Sequence, residues 1–120
     1  MTNAKDKFDE LVFFAQVKNR PGIFLGKPSL LSFRDQLLGL EYAFSFCNQE
    51  HSLKYFRSFV KWYHKEVIKD SNGYACWWNH ILYISGNNDV YAFEVFFNNF
   101  ERYLRDVHNI SLPEICQKQP

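Results

Sequence analysis

Two prolines and two glycines fall within ten residues, Arg20-Pro21-Gly22-Ile23-Phe24-Leu25-Gly26-Lys27-Pro28-Ser29, between two amphipathic segments. Proline disfavours a helical residue before it and donates no N–H, so a helix arriving from the N-terminus must end near Asn19. Glycine adopts positive φ at little steric cost, so we expect a chain reversal here, with residues 23–25 inserted into the core. The residues of this structural turn are Arg20, Pro21, Gly22, Phe24 and Gly26.

Apolar residues recur every three or four positions on both sides of the turn, which predicts an all-α fold. We expect one compact domain over residues 1–120, a bundle of four long helices plus one short helix. The long helices are predicted over residues 4–18 with Asn3 as the N-cap, from Ser29 or Ser32 to residue 48, over 53–69, and from Asp89 to about 107. The turn Ser85-Gly86-Asn87-Asn88 is expected to cap the last helix, whose buried stripe is predicted to be Val90, Phe93, Phe97, Phe100, Leu104 and Val107. Residues 110–115 are expected to fold back onto the core, and residues 117–120 to be frayed.

The second predicted helix carries apolar residues around more than half of its circumference, which places it at the centre of the bundle. Gly39 lies in its middle at a cost of about 1 kcal/mol relative to alanine, so we expect a neighbouring backbone or ring to cross there closely. Residues 74–84 are ambiguous, because their aromatic and β-branched side chains fit a strand as well as a helix. No other segment offers a partner strand, so a short helix is the prediction.

Aromatic residues make up 19% of the chain, more than a small core needs, so some rings are expected to face a partner. The formal net charge of +1 gives no bulk attraction to nucleic acid or to an anionic membrane. The three cysteines are widely spaced without a CxxC pair, which is typical of reduced thiols in a cytoplasmic protein. No apolar run approaches the roughly 20 residues of a membrane span, and no signal segment opens the chain.

The sequence offers no pattern typical of a catalytic or metal centre. The four histidines occur without an HExxH or His-x-His motif, so no metal or other cofactor is predicted. Cys76 and His80 are spaced to share a helical face, but no positioning carboxylate accompanies them. We therefore expect a protein that acts by binding and is not an enzyme.

The order of several features resembles that of bacterial immunity proteins from polymorphic-toxin and contact-dependent growth inhibition systems. These proteins have an N-terminal helix, an Arg-Pro-Gly-x-aromatic-Leu-Gly turn, an apolar helix, Trp-containing segments and a closing Phe-rich helix. The matching positions here are Arg20 to Gly26, Ser29-Leu30, Gly39 with Tyr42, Trp62, Trp77-Trp78, and Ala92-Phe93 followed by Phe96-Phe97 and Phe100.

The resemblance implies a cytoplasmic protein that binds and neutralises a cognate toxin, most often a nuclease, by covering its active site or substrate groove. Because nuclease sites are basic, the toxin-binding residues are expected to be acidic side chains next to exposed rings. The candidates are Asp89, Tyr91, Glu94, Glu101 and Trp78.

Two other functions remain open. The third predicted helix carries a basic stripe of Lys54, Arg57, Lys61 and Lys65, which fits a small nucleic-acid-binding or regulatory module. Alternatively, the excess of aromatic residues fits a homodimer that buries them between its subunits.

Overall fold

The computed structural model of the chain describes residues 8–46, 53–69 and 76–118. This part of the chain is helical and contains no strand, which confirms the all-α prediction. The helices are α1 (Glu10–Asn19), α2 (Pro21–Leu25), α3 (Leu30–Phe46), α4 (Lys54–Tyr63), α5 (Trp77–Ile84), α6 (Asp89–His108) and α7 (Leu112–Gln117). A π-helical turn, His64–Ile68, continues α4. The prediction of a single short helix was wrong, because α2 and α7 are short helices as well as α5.

Side-chain caps set where four of the described helices begin: Ser111 caps α7 by accepting the Glu114 N–H at 3.3 Å, and the other three caps belong to α1, α3 and α6. The Asp9 carboxylate accepts the Val12 N–H at 3.2 Å, so α1 begins at Glu10, and the predicted start at residue 4 lies outside the described residues. The predicted cap Asn3 lies outside the described residues. The Ser29 hydroxyl accepts the Ser32 N–H at 3.1 Å at the start of α3, which confirms Ser29 as a cap. Asn88 caps α6 by accepting the Tyr91 N–H at 3.0 Å.

The proline–glycine stretch ends α1 at Asn19 as predicted, but it does not form a plain turn. Pro21 occupies the first turn of α2, where its missing N–H costs nothing and its fixed φ suits a helix. Gly26 ends α2 with φ at 78°, the positive value predicted for a glycine in this chain reversal, whereas Gly22 lies within the helix α2. Ile23 is 71% exposed, so the predicted insertion of the whole 23–25 segment was wrong and only Phe24 and Leu25 pack against the core.

The core is a cluster of stacked and edge-on rings around α6. Phe14 of α1 stacks on Phe100 with centroids 4.6 Å apart, and Phe33 of α3 stacks on Phe97 at 5.7 Å. Phe59 of α4 meets Phe100 edge-on at 5.4 Å. Because α1, α3 and α4 all place rings on the same helix, α6 is the centre of the bundle, and the prediction that gave this position to α3 was wrong.

The C-terminal half of α3 is not enclosed by other described helices. Leu38, Tyr42 and Phe46 recur every four residues on its exposed side, and Phe46 is 72% exposed. A Cβ added at Gly39 would meet no atom of another described element within 4 Å, so none of the described helices crosses there closely. The α6 residues Val90 and Val107, predicted on the buried stripe, are also exposed, since they lie at the two ends of the helix beyond its neighbours.

The remaining elements agree with the predictions where the structure describes them. Residues 77–84 are helical, which settles the ambiguous segment in favour of a helix. α7 folds back onto the core through the fully buried Leu112, although Gln117, predicted to be frayed, is its last helical residue. Within the described ranges, no helix combines the length and apolar character needed to cross a membrane.

Candidate protein-interaction surface

The turn between α5 and α6 is flanked by exposed apolar side chains on both sides. Tyr83 is 78% exposed and Tyr91 is 51% exposed, and Ile84 and Val90 are exposed beside them. We call Tyr83, Ile84, Val90 and Tyr91 the α5–α6 corner. The turn is tight because Gly86 and Asn87 both have positive φ, at 66° and 59°, and the Asn87 N–H bonds the Leu82 carbonyl at 2.7 Å. This tight turn therefore places the four apolar side chains of the corner in a defined arrangement in which they are exposed to solvent.

Asp89 fixes the corner to the rest of the bundle. Its carboxylate accepts a hydrogen bond from the Ser29 hydroxyl and another from the Leu31 N–H at 3.0 Å. These contacts join the start of α6 to the start of α3 and satisfy an otherwise unpaired donor of α3. Asp89, a predicted toxin-binding residue, is thus half-buried and hydrogen-bonded within the chain.

The other predicted toxin-binding residues differ in how accessible they are. Tyr91 and Glu94 are both exposed on α6. Glu101 is half-buried and forms an ion pair with Lys18 of α1. Trp78 is half-buried on α5, with the Arg34 guanidinium 5.2 Å from its ring centroid. The structure therefore brings Tyr91 and Glu94 together on the outer surface, whereas Asp89, Glu101 and Trp78 already have partners inside the molecule.

Sequence reasoning missed Tyr83, Ile84 and Val90 as surface residues. Val90 was placed on the buried stripe because its spacing from Phe93 and Phe97 fits that stripe. The available signal was the polar run Ser85-Gly86-Asn87-Asn88, because a short turn between two helices leaves the residues beside it without neighbours on one side.

A small cleft lies between α1 and α6, next to the corner along α6. It has a volume of about 190 Å³ and is lined by Lys18, Phe93, Glu94, Phe97 and Asn98. The rings of Phe93 and Phe97 have centroids 5.0 Å apart. The cleft therefore combines an apolar surface with polar side chains at its rim.

The predicted basic stripe is exposed along α4 and the π-helical turn. Lys54, Arg57, Lys61 and Lys65 share one face, and the Lys54 ammonium lies 5.2 Å from the Tyr55 ring centroid. This arrangement could contact phosphates from the solvent side of α4.

A buried carboxyl lies beneath the start of this stripe. Glu10 of α1 is only 6% exposed, and its two oxygens accept the Tyr55 N–H at 2.9 Å and the Phe56 N–H at 2.7 Å. It therefore caps α4, which has no side-chain cap of its own. Burial raises the pKa of Glu10 from 4.5 to about 7, and the two N–H bonds and the charges of Lys54 and Arg57 oppose this rise.

Two of the three histidines that the structure describes, His80 and His108, lie within hydrogen-bond distance of tyrosine hydroxyls. His80 Nδ1 lies 2.7 Å from the Tyr63 hydroxyl, and His108 Nε2 lies 2.7 Å from the Tyr103 hydroxyl. Burial raises the pKa of Tyr63 to about 12, while burial and the nearby His64 lower the pKa of His80, so the hydroxyl and the imidazole meet in their neutral forms. Across residues 8–46, 53–69 and 76–118, no three His, Cys, Asp or Glu side chains form a group that could hold a metal ion.

Over the described residues, the fold and this surface define an all-α protein with an exposed aromatic corner and an adjoining cleft that has a polar rim. No family model, curated protein or solved structure matches the chain.

Proposed function

We propose that this chain binds a cognate protein toxin and neutralises it by covering the toxin's active site or substrate groove. The observation that carries the proposal is the α5–α6 corner, where two tyrosines and two aliphatic residues are exposed to solvent beside a tight turn. Clustered exposed apolar side chains are typical of interaction sites, and tyrosine is enriched among the residues that dominate binding energy. The mechanism requires binding alone, without catalysis or a cofactor.

Charge supports a nuclease as the toxin. Glu94 places an exposed carboxylate one turn from Val90 on α6, beside Tyr91. Nucleases bind the phosphate backbone, so their substrate grooves are positively charged. An acidic side chain beside aromatic anchors complements such a groove, which favours fast association and selectivity.

The sequence resemblance to immunity proteins of polymorphic-toxin and contact-dependent growth inhibition systems is consistent with this proposal. On this reading, the chain acts in the cytoplasm of the toxin-producing cell and protects it. Asp89 would then shape the corner through its bonds to α3, and Tyr91 and Glu94 would contact the toxin directly.

The proposal is tested by capturing the partner from the native host and co-expressing it with this chain in a bacterium that lacks both. We expect the partner alone to stop growth and the wild-type chain to restore it. A Tyr83→Ala/Tyr91→Ala variant should fail to restore growth, whereas the matched Tyr42→Ala/Phe46→Ala variant of α3 should succeed. A partner that is harmless when expressed alone would refute the immunity function.

The exposed face of α4 favours a second candidate, a nucleic-acid-binding or regulatory module that uses Lys54, Arg57, Lys61 and Lys65. Such binding would weaken steeply with salt, because each neutralised phosphate releases counterions. RNA or DNA binding that a Lys61→Glu/Lys65→Glu variant abolishes would support this function over toxin binding.

The exposed face of α3 favours a homodimer as a third arrangement. Leu38, Tyr42 and Phe46 would be buried by a second copy. Sedimentation at micromolar concentration distinguishes this case, because the toxin-binding proposal needs only the monomer.

A further inference from the structure

The cleft between α1 and α6 has the size of a site for one side chain. Its volume of about 190 Å³ is below the roughly 300–1,000 Å³ typical of pockets for small molecules. Phe93 and Phe97, one helical turn apart, supply its apolar surface, and Glu94 and Asn98, also one turn apart, supply its polar rim. An occupant must therefore present an apolar stem and a polar end.

The unpaired charge that an occupant of the cleft would meet is negative. The Lys18 ammonium is already paired with the Glu101 carboxylate, so the cation of the cleft is matched within the chain. The Glu94 carboxylate is exposed and forms no ion pair or hydrogen bond with the part of the chain that the structure describes. A cation that reaches the rim would meet an unmatched carboxylate.

We propose that this cleft receives a single arginine side chain from a basic partner protein. The methylene stem of arginine would cover the small parts of Phe93 and Phe97 that reach the cleft, since these residues are 6% and 2% exposed. Its planar guanidinium would pair with the Glu94 carboxylate and the Asn98 side-chain oxygen. Arginine fits better than lysine, because its guanidinium is more weakly hydrated, stacks on rings and donates to two acceptors at once. The identity of the partner as a toxin rests on the proposed function, whereas the chemistry of the cleft does not.

The arginine site is tested with Nα-acetyl-arginine amide, added at low ionic strength to the ¹⁵N-labelled full chain. Saturable shifts are expected at the backbone amides of residues 93–98 and at Lys18, with a dissociation constant on the order of millimolar for one side chain. Nα-acetyl-citrulline amide, which has a similar shape but no charge, should not reproduce them. A Glu94→Gln variant should weaken binding roughly fivefold, because it removes the charge and keeps the shape.

The matched control is Glu114→Gln, which removes an exposed carboxylate of α7 and should leave the affinity unchanged. Equal shifts with citrulline, shifts spread over the surface, or an affinity unaffected by Glu94→Gln would overturn the proposal.

The results also distinguish a failure of the arginine site from a failure of the proposed toxin-binding function. If the chain neutralises a toxin and Glu94→Gln binds that toxin as tightly as wild type, the arginine site is refuted and the toxin-binding function stands. If no toxin is found but acetyl-arginine amide binds in the Glu94-dependent manner described, the toxin-binding proposal fails and the arginine site stands.

Discussion

The buried carboxyl of Glu10 makes stability depend on pH in a direction opposite to that of most carboxyl groups. Its pKa of about 7 in the folded chain lies above the ordinary value of 4.5, because burial penalises the charged form more than its hydrogen bonds favour it. The folded state therefore binds this proton more tightly than the unfolded state does. Its contribution to stability is present in full below pH 4.5 and is lost as the pH rises through 7.

The size of this contribution follows from the change in pKa. A rise from 4.5 to about 7 corresponds to about 3 kcal/mol in the free energy of unfolding. Glu10→Gln cannot ionise and keeps nearly the same shape, although its amide group can accept only one of the two N–H bonds from Tyr55 and Phe56. We therefore expect the wild-type advantage over Glu10→Gln to shrink by about 3 kcal/mol between pH 4 and pH 8.

Urea unfolding followed by tryptophan fluorescence, with reducing agent present, measures this difference at each pH. Subtracting the free energy of unfolding of Glu10→Gln from that of the wild type at each pH removes the contribution of all other titrating groups. Glu114→Gln serves as a control that should show no such trend. A wild-type advantage that stays constant or grows with pH would refute the reasoning. So would a carboxyl resonance of Glu10 that titrates below pH 5.

Four further substitutions test other parts of the structure by urea unfolding. Gly39→Ala should stabilise the chain by about 0.5–1 kcal/mol, because the position is helical and a methyl group there meets no atom within 4 Å; destabilisation would show a close neighbour. Gly26→Ala should destabilise it by about 1 kcal/mol, because φ is 78°, and an unchanged stability would contradict this. Tyr63→Phe should lower the free energy of unfolding by about 1 kcal/mol, because the hydrogen bond to the His80 imidazole is lost. It should also raise the pKa of His80 in an NMR titration, because the hydroxyl bonds the neutral imidazole. An unchanged His80 titration would exclude that role. Asp89→Ala should cost about 1–2 kcal/mol, since the Leu31 N–H and the Ser29 hydroxyl lose their acceptor, and a cost near zero would show that the start of α3 finds another partner.

Local rules predicted the features that depend on neighbouring residues. Pro21 ended α1, Ser29 capped α3 and Asn88 capped α6, because each effect involves atoms within one helical turn. The helical period of apolar residues also predicted the buried stripe from Phe93 to Leu104. These effects are strong at short range and need no knowledge of the tertiary structure.

Features that depend on distant parts of the chain were not predictable in the same way. Glu10 is a charged residue on an amphipathic helix, and only the arrival of α4 shows that it is a buried cap. Asp89 was predicted on the binding surface, yet the start of α3 uses its carboxylate. Periodicity alone cannot tell whether an apolar face is covered, so α3 was predicted to be central although Tyr42 and Phe46 are exposed.

For the candidate site, the sequence predicted Tyr91 and Glu94 as binding residues, and the structure places both on the exposed side of α6; their surroundings were not predicted. The corner includes Tyr83, and although the polar run 85–88 predicted a turn, the exposure of Tyr83 follows from the positive φ angles of Gly86 and Asn87 that shape it. The cleft depends on Lys18 lying across from Glu94, a juxtaposition of two helices far apart in the chain.

The proposal that the chain acts through the α5–α6 corner is tested most directly by calorimetric titration with the partner captured from the native host. Tyr83→Ala/Tyr91→Ala should raise the dissociation constant for this partner at least about a hundredfold, because two aromatic anchors are lost. Tyr42→Ala/Phe46→Ala should leave the constant within about twofold of wild type, because α3 lies outside the proposed surface. Unchanged binding by the corner variant, together with loss of binding by the α3 variant, would contradict the claim.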